Sequence, residues 1–375
     1  MAGSATRADP LPHRTLDDYL RSRSPGLDVV RLILAFLVLV SHTWPLGGFG
    51  DEPPSPLTGP RYLTLGGFAV AGFFGLSGLL VGRSALSRTS RQFARARVVR
   101  IVPAYWAALV FGGFVVAALG WVHANDSLSG FLSFEPGGPV GHVLRGALFP
   151  TEFSYGVDGV FMTDTPFGRE TGISFVNGSL WTLPHEIRCY LVVGLVAVVA
   201  RRYGSRPTVA IAWAVAGALA VAYRASAPST DFVLGSYADR GLVMFVFIFL
   251  SGMLAAVWAD RIRLFGPMPV IALAVGLVAG RTSLFLSEHL AGAALVLILP
   301  PIAAVLEPVG RRFRGVDLSY GLYLYAWPVQ QLVAMYSLAD RPSTFIAMST
   351  VGAATLAAAS WFAIERPAMQ RFRHP

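Results

Sequence analysis

Ten stretches of this chain are apolar for long enough to cross a lipid bilayer, and no compact water-soluble domain accommodates that many. At ~20 residues per spanning helix, they fall at approximately 27–46, 62–83, 101–121, 181–200, 207–224, 241–259, 267–285, 289–306, 319–338 and 344–364. The charge content agrees: 14% of residues are charged, where soluble domains carry about 25%. The expected fold is therefore all-α, a polytopic membrane protein of about ten transmembrane helices.

The connecting segments set the orientation. Every one of the 30 basic residues is arginine, and the formal net charge is +9. The arginines form short blocks in the opening tail, in 83–100, 200–206, 260–266 and 307–318, and at the C-terminus. Threading ten helices puts all six blocks on one side, so both termini are expected in the cytoplasm and the protein in the inner (plasma) membrane. Basic blocks between apolar runs suit lipid head groups, so nucleic acid is not an expected partner and membrane lipids are. Cys189 is the lone cysteine, which excludes an intrachain disulfide.

Residues 1–25 are polar and read as a disordered cytoplasmic tail, with 26–367 as the transmembrane domain and 368–375 as a second cytoplasmic tail. No small-residue cleavage site follows Val40, so the opening is not read as a signal peptide. Residues 122–180, rich in Gly, Pro and Phe, are too long for a plain connector and are expected to form a partly re-entrant extracytoplasmic cap. No internal repeat is visible.

Within the first span, GLDVVRLILAFLVLVSHTWPLGG, three groups are foreign to lipid: Asp28, Arg31 and His42. An ionisable side chain there costs at least a few kcal/mol unless it faces protein or water. At ~100° per residue, Arg31 and His42 share one helix face, ~16 Å apart along the axis. Asp28 lies within reach of Arg31. A single polar stripe is thus expected through most of this helix. His42 is either an interfacial residue bonded to a neighbouring helix or a base able to take a proton from a hydroxyl.

Other groups carry weaker signals. Arg97 and Arg100 in RARVVRIVPAYW share a face and, with Arg95 nearby, make an anion site suited to phosphates; each alone also reads as a positive flank. Pro103 fits a first helical turn. In SLWTLPHEIRCYL, Glu186 follows Pro184 at the head of the fourth span, where the helix dipole favours a carboxylate. This end is expected at the outer surface. Gly75, Ser77, Gly78 and Gly82 suit close helix packing or a slender ligand. Tyr320, Tyr323, Tyr325 and Trp327 suit an aromatic belt or a carbohydrate-facing wall. No Gly-rich phosphate loop or metal-spaced His/Cys set is present, so no metal is expected.

Taken in order, LDVVR with His42 ten intervening residues after Arg31, FFGLSG, RVVRIVPAYW, SLWTLPHEIRCYL, SYGLYLYAWPV and AIERP make the chain resemble the acyltransferase family 3 of membrane proteins. The resemblance covers nearly everything past residue 25. It implies a ten-helix bundle, an acyl-CoA donor (acetyl-CoA foremost) from the cytoplasm, and a glycan or glycolipid acceptor on the far side. It also implies His42 as the catalytic histidine, Arg31 as its partner, Glu186 as the acidic residue of the WTLP-type motif, and Arg97 and Arg100 beside the donor, with Arg95 near. Many members carry His before the Trp-Pro of the ninth helix; here Ala326 stands there, so that helix is given no proton-transfer role. The soluble hydrolase-like domain fused to some members is not expected.

The expected activity is O-acyl transfer from cytoplasmic acyl-CoA to an extracytoplasmic hydroxyl, with His42 as base or acyl carrier. A proton-coupled transporter or flippase of a glycan or lipid-linked precursor is the alternative, since ten spans with buried charges suit it equally. A scaffold of an envelope complex would leave those charges unexplained.

Overall fold

The computed structural model describes residues 14–21, 24–149, 156–226 and 234–371, with side chains described at all of these except 59–62 and 226–240. The chain runs through α1 (Leu16–Arg21), α2 (Pro25–Gly47), a two-stranded antiparallel hairpin (β1, Pro54–Ser55; β2, Gly59–Thr64), α3 (Leu65–Ser87), α4 (Ser90–Phe111) and α5 (Ala117–Asn125). Short helices α6 (Pro139–Gly146) and α7 (Pro166–Thr171) precede α8 (Thr182–Tyr203), α9 (Ser205–Ser226), α10 (Leu234–Val257) and α11 (Pro267–Thr282). Then follow α12 (Leu284–Leu286), α13 (Gly292–Val305), α14 (Glu307–Arg312), α15 (Ser319–Met335), α16 (Pro342–Ser360) and α17 (Arg366–Arg371).

Each of the ten apolar stretches is occupied by helix. Seven helical segments among the described residues are long and apolar enough to cross a membrane, and two shorter apolar ones are Gly241–Val257 and Pro267–Thr282. Leucines on α8, α9 and other long helices stay exposed, for example Leu191, Leu195 and Leu219. Lipid, not water, is the medium in which such surfaces are stable. The chain is a multi-pass membrane protein.

At the centre lies α15, almost entirely buried, and α2 and α16 flank it. Its aromatic side chains therefore point into protein and do not form an interfacial belt. The small-residue run of α3 serves helix packing: a Cβ on Gly78 would collide with the Phe249 carbonyl of α10. Close backbone approach of this kind is how helices associate where burial against lipid gives little driving force.

One end of the bundle gathers the arginine-rich turns. Arg83 pairs with Asp17 at 2.5 Å, Arg206 with Asp260 at 2.7 Å, and Leu16 N–H donates to the Ile262 carbonyl. These contacts correct the expected tail. Leu16 and Tyr19, 1% and 2% exposed, give residues 16–21 an apolar side to bury, so they fold as α1 and dock. The expected disorder of residues 1–13 lies outside the described residues, as does the tail from 372 to 375.

A second correction concerns the arginine block before the third span. It is helix from Ser90 onward, because Thr89 and Gln92 cap each other's backbone N–H groups in a capping box. Pro103 therefore lies inside α4 and not in its first turn. This early start puts Gln92, Arg95 and the arginines beyond them on one rigid rod.

Candidate active site

A cavity of about 780 Å³ opens at the basic end between α2, α3, α4, α8 and α15. Arg88, Gln92, Arg95 and Arg97 stand at its mouth side, Arg31 and Arg100 line its wall, and Phe73, Thr182 and Tyr323 form its inner end. All four arginines expected to act on the donor or beside it (Arg31, Arg95, Arg97, Arg100) thus meet in one space. Gln92 and Arg88 join them: Gln92 and Arg95, three apart, share a face of α4, and Arg88 stands in the turn just before it.

The arginines divide by partner. Arg31 Nη1 lies 3.0 Å from Asp317 Oδ2, and Arg100 Nη2 lies 2.6 Å from the same oxygen. Arg100 also faces Glu365 at 3.4 Å, and Glu365 accepts from Ser360 Oγ. Ser319 donates to Asp317 Oδ1 from both its hydroxyl, at 2.5 Å, and its backbone N–H. Burial raises the Asp317 carboxyl's pKa, but Arg31, Arg100 and the Ser319 hydrogen bonds outweigh it and hold it below the usual carboxylate range. Arg31 was expected to pair with Asp28; it pairs with Asp317, which neither spacing nor motif pointed to. Arg97 differs: its guanidinium sits over the Tyr190 ring at 5.8 Å, and its buried Nε has no hydrogen-bond partner. Arg31 and Arg100 are thus paired with acids inside the fold, whereas Arg97 has no ion pair among the described residues.

His42 lies toward the other end of α2. Its Nε2 is 3.8 Å from Glu52 Oε1, and the other Glu52 oxygen accepts from Ser41 Oγ at 2.8 Å. Gly66 N–H in turn donates to Ser41 Oγ. Trp327 meets the imidazole edge-on, 4.9 Å between ring centres, and its indole N–H is fixed on the Phe175 carbonyl. The imidazole Nδ1 is buried without a hydrogen-bond partner. A carboxylate beside one nitrogen and an unpartnered second nitrogen is the arrangement a general base requires. Glu52 was read only as an outer-loop charge, because nine residues of helix and turn separate it from His42 in sequence.

The expected polar stripe is interrupted. Between Arg31 and His42, α2 presents Leu34, Ala35, Val38 and Leu39, all buried and at most 2% exposed, and His42 is not among the residues lining the cavity. The cavity ends at Tyr323, whose hydroxyl shares a 2.7 Å hydrogen bond with Thr182. Trp327 is one turn further along α15, ~6 Å away. Arg31 and His42 are therefore joined through α15 aromatics and not through a continuous polar face.

Glu186 stands in the arginine cavity and not beside His42; one of its oxygens accepts from the Tyr190 hydroxyl. The fourth span was expected to start at the outer surface. Instead residues 176–180 are buried, Asn177 donates to the Leu324 carbonyl, and α8 starts inside the bundle.

The bundle thus has an arginine-lined cavity at one end and an imidazole beside a carboxylate toward the other. Residues 24–364 match the family model described as an acyltransferase domain, and the chain belongs to that family, the acyltransferase family 3. It is a membrane acyltransferase. It is 28% identical to the protein named O-acetyl transferase of Shigella phage Sf6, over 93% of this chain and 97% of that relative. It is also 28% identical to Nodulation protein 10 of Rhizobium leguminosarum bv. viciae, over 92% and 93%. No solved structure gives a significant match.

Proposed function

We propose that the protein is an O-acyltransferase of the inner membrane that takes an acyl group, acetyl foremost, from cytoplasmic acyl-CoA. It passes that group to a hydroxyl of an extracytoplasmic glycan or glycolipid. The observation that carries this reading is that one helix, α2, has an arginine-lined cavity at one end and the His42–Glu52 pair toward the other. In this reading the donor phosphates rest on Arg88, Arg95 and Arg97, and the pantetheine arm runs inward past Arg31 and Arg100 toward Thr182 and Tyr323. The thioester must then pass the Thr182–Tyr323 hydrogen bond to approach Trp327 and His42.

The imidazole takes the proton from the acceptor hydroxyl, whose oxygen attacks the thioester carbonyl. The C–O bond forms, the C–S bond breaks, and the departing thiolate receives the proton from the imidazolium. Glu52 stabilises the imidazolium between the two transfers. The acyl-carrier route instead has the imidazole nitrogen attack first. Positioning of donor and acceptor on the two sides of one ring supplies much of the rate in either route.

Two tests arise here. Glu52→Gln keeps an oxygen for the Ser41 hydroxyl but removes the charge, so transfer is expected to slow about tenfold or more, a rise of about 1.4 kcal/mol or more in the barrier. The Michaelis constant for acyl-CoA should stay put; steady-state kinetics check both, and an unchanged rate removes Glu52 from the mechanism. Arg95→Ala with Arg97→Ala should instead raise the acyl-CoA Michaelis constant about tenfold or more, since each charge-assisted hydrogen bond contributes about 1.5–3 kcal/mol. An unaltered constant would place the donor elsewhere.

A further inference from the structure

A second cavity of about 340 Å³ lies on the outer wall of the bundle between α4 and α8. Its sides are apolar and turned outward: Val98, Leu191 and Leu195, which line it, are 56%, 69% and 67% exposed. Its floor is open because residue 194 is glycine, whose missing side chain would otherwise cover Phe93. The groove follows α4 from Ser90 to Val102. Twelve helical residues span ~18 Å, close to the ~15 Å depth of one leaflet's hydrocarbon.

Charge lies at one end of this slot. Arg201 sits at its basic-end rim, donating to Ser90 Oγ at 3.1 Å and to the Arg88 carbonyl at 2.9 Å. Among the described residues it has no carboxylate partner, and Arg88, Arg91 and Arg202 add positive charge from the segments 84–100 and 187–206, neither of which contains an acid. Deeper in, the wall includes Arg97, whose Nε is buried and unpartnered. An apolar slot one leaflet deep, with an uncompensated guanidinium where the head-group layer begins, has the shape and polarity of a single lipid.

We propose that this groove binds an anionic glycerophospholipid of the leaflet at the basic end, one acyl chain lying between α4 and α8 and the phosphate resting on Arg201. An anionic head group is selected over a zwitterionic one because the latter brings its own cation into a field that is already positive. The groove shares the Arg97 wall with the donor cavity, but Arg201 and Gly194, on which the proposal is tested, have no part in the acyl-transfer reading.

Native mass spectrometry of the full-length protein, delipidated and titrated with phosphatidylglycerol or phosphatidylcholine of identical chains, tests this without any turnover. The wild type should retain one phosphatidylglycerol in preference to phosphatidylcholine. Arg201→Gln keeps hydrogen-bond donors but removes the charge, and should lower that preference about fivefold, as expected for one arginine at a membrane surface. Gly194→Leu fills the slot with a better helix former and should abolish retention of the single tightly held lipid. Equal retention of the two lipids by the wild type, or undiminished phosphatidylglycerol retention in Gly194→Leu, would overturn the proposal.

Discussion

Replacing His42 by alanine is expected to lower acyl transfer by at least about 10²-fold, the minimum contribution of a positioned general base, while the folded state survives. The fold should tolerate the change because the described contacts of the ring are one carboxylate at 3.8 Å and one aromatic edge. Neither anchors a helix. Donor binding should also persist, since His42 does not line the arginine cavity. The pair of readouts is what makes the prediction sharp: acyl-CoA affinity is retained while product formation disappears. Near-normal turnover would transfer the chemistry to another group, and loss of both readouts would mean that the imidazole is structural.

The second large effect is on stability. Asp317→Asn is expected to cost about 3–5 kcal/mol, the usual result of removing one partner from a buried ionic cluster. Asp317 faces Arg31 and Arg100 at once and is only 14% exposed, so the variant takes from Arg31 its ion-pair partner and leaves Arg100 with Glu365 at 3.4 Å. Denaturation midpoints in detergent measure the change, and a difference below about 1 kcal/mol would contradict it. The sign with pH follows from the lowered carboxyl. The stabilisation is fully present above the ordinary carboxylate value and is lost only as pH falls through the folded-state value. Between pH 5 and 8 the Asp317 carboxylate should therefore contribute constantly, and any pH dependence in that window must come from groups other than Asp317.

These two sites also mark where sequence reading succeeds and where it stops. Apolar runs are local, so all ten became helix, and Arg95, Arg97 and Arg100 were grouped by their closeness on one helix, whereas Arg31 was assigned to His42 and not to them. Pairing is not local. Arg31 is separated from Asp317 by 286 positions, and an aspartate three residues upstream was the nearer candidate on paper. Glu52 resembled any loop acid because nothing in the chain announces that the turn after α2 folds back onto Ser41 and His42. Helix ends were misplaced where capping decided them, as at Thr89 and Gln92. The depth of Glu186 was hidden for a different reason: hydropathy assigns a span a start, but only tertiary contacts such as that of Asn177 with Leu324 reveal that the start lies inside the bundle. The hairpin at 54–64 left no alternation strong enough to be read.

The interruption between Arg31 and His42 bears directly on mechanism. Buried Leu34 and Val38 and the Thr182–Tyr323 hydrogen bond lie between the two ends. In the proposed mechanism, transfer depends on a donor long enough to cross ~16 Å of helix, admitted at the Tyr323 turn of α15.

The central claim is that donor and acceptor reach α2 from opposite sides of the membrane. Purified protein in sealed vesicles of uniform orientation, given radiolabelled acetyl-CoA on one side and a hydroxylated glycan on the other, measures this directly. The account predicts labelled glycan only when acetyl-CoA faces the arginine-rich end, and none with His42→Ala. Equal labelling from either side, or labelling that requires both substrates in the same compartment, would contradict it.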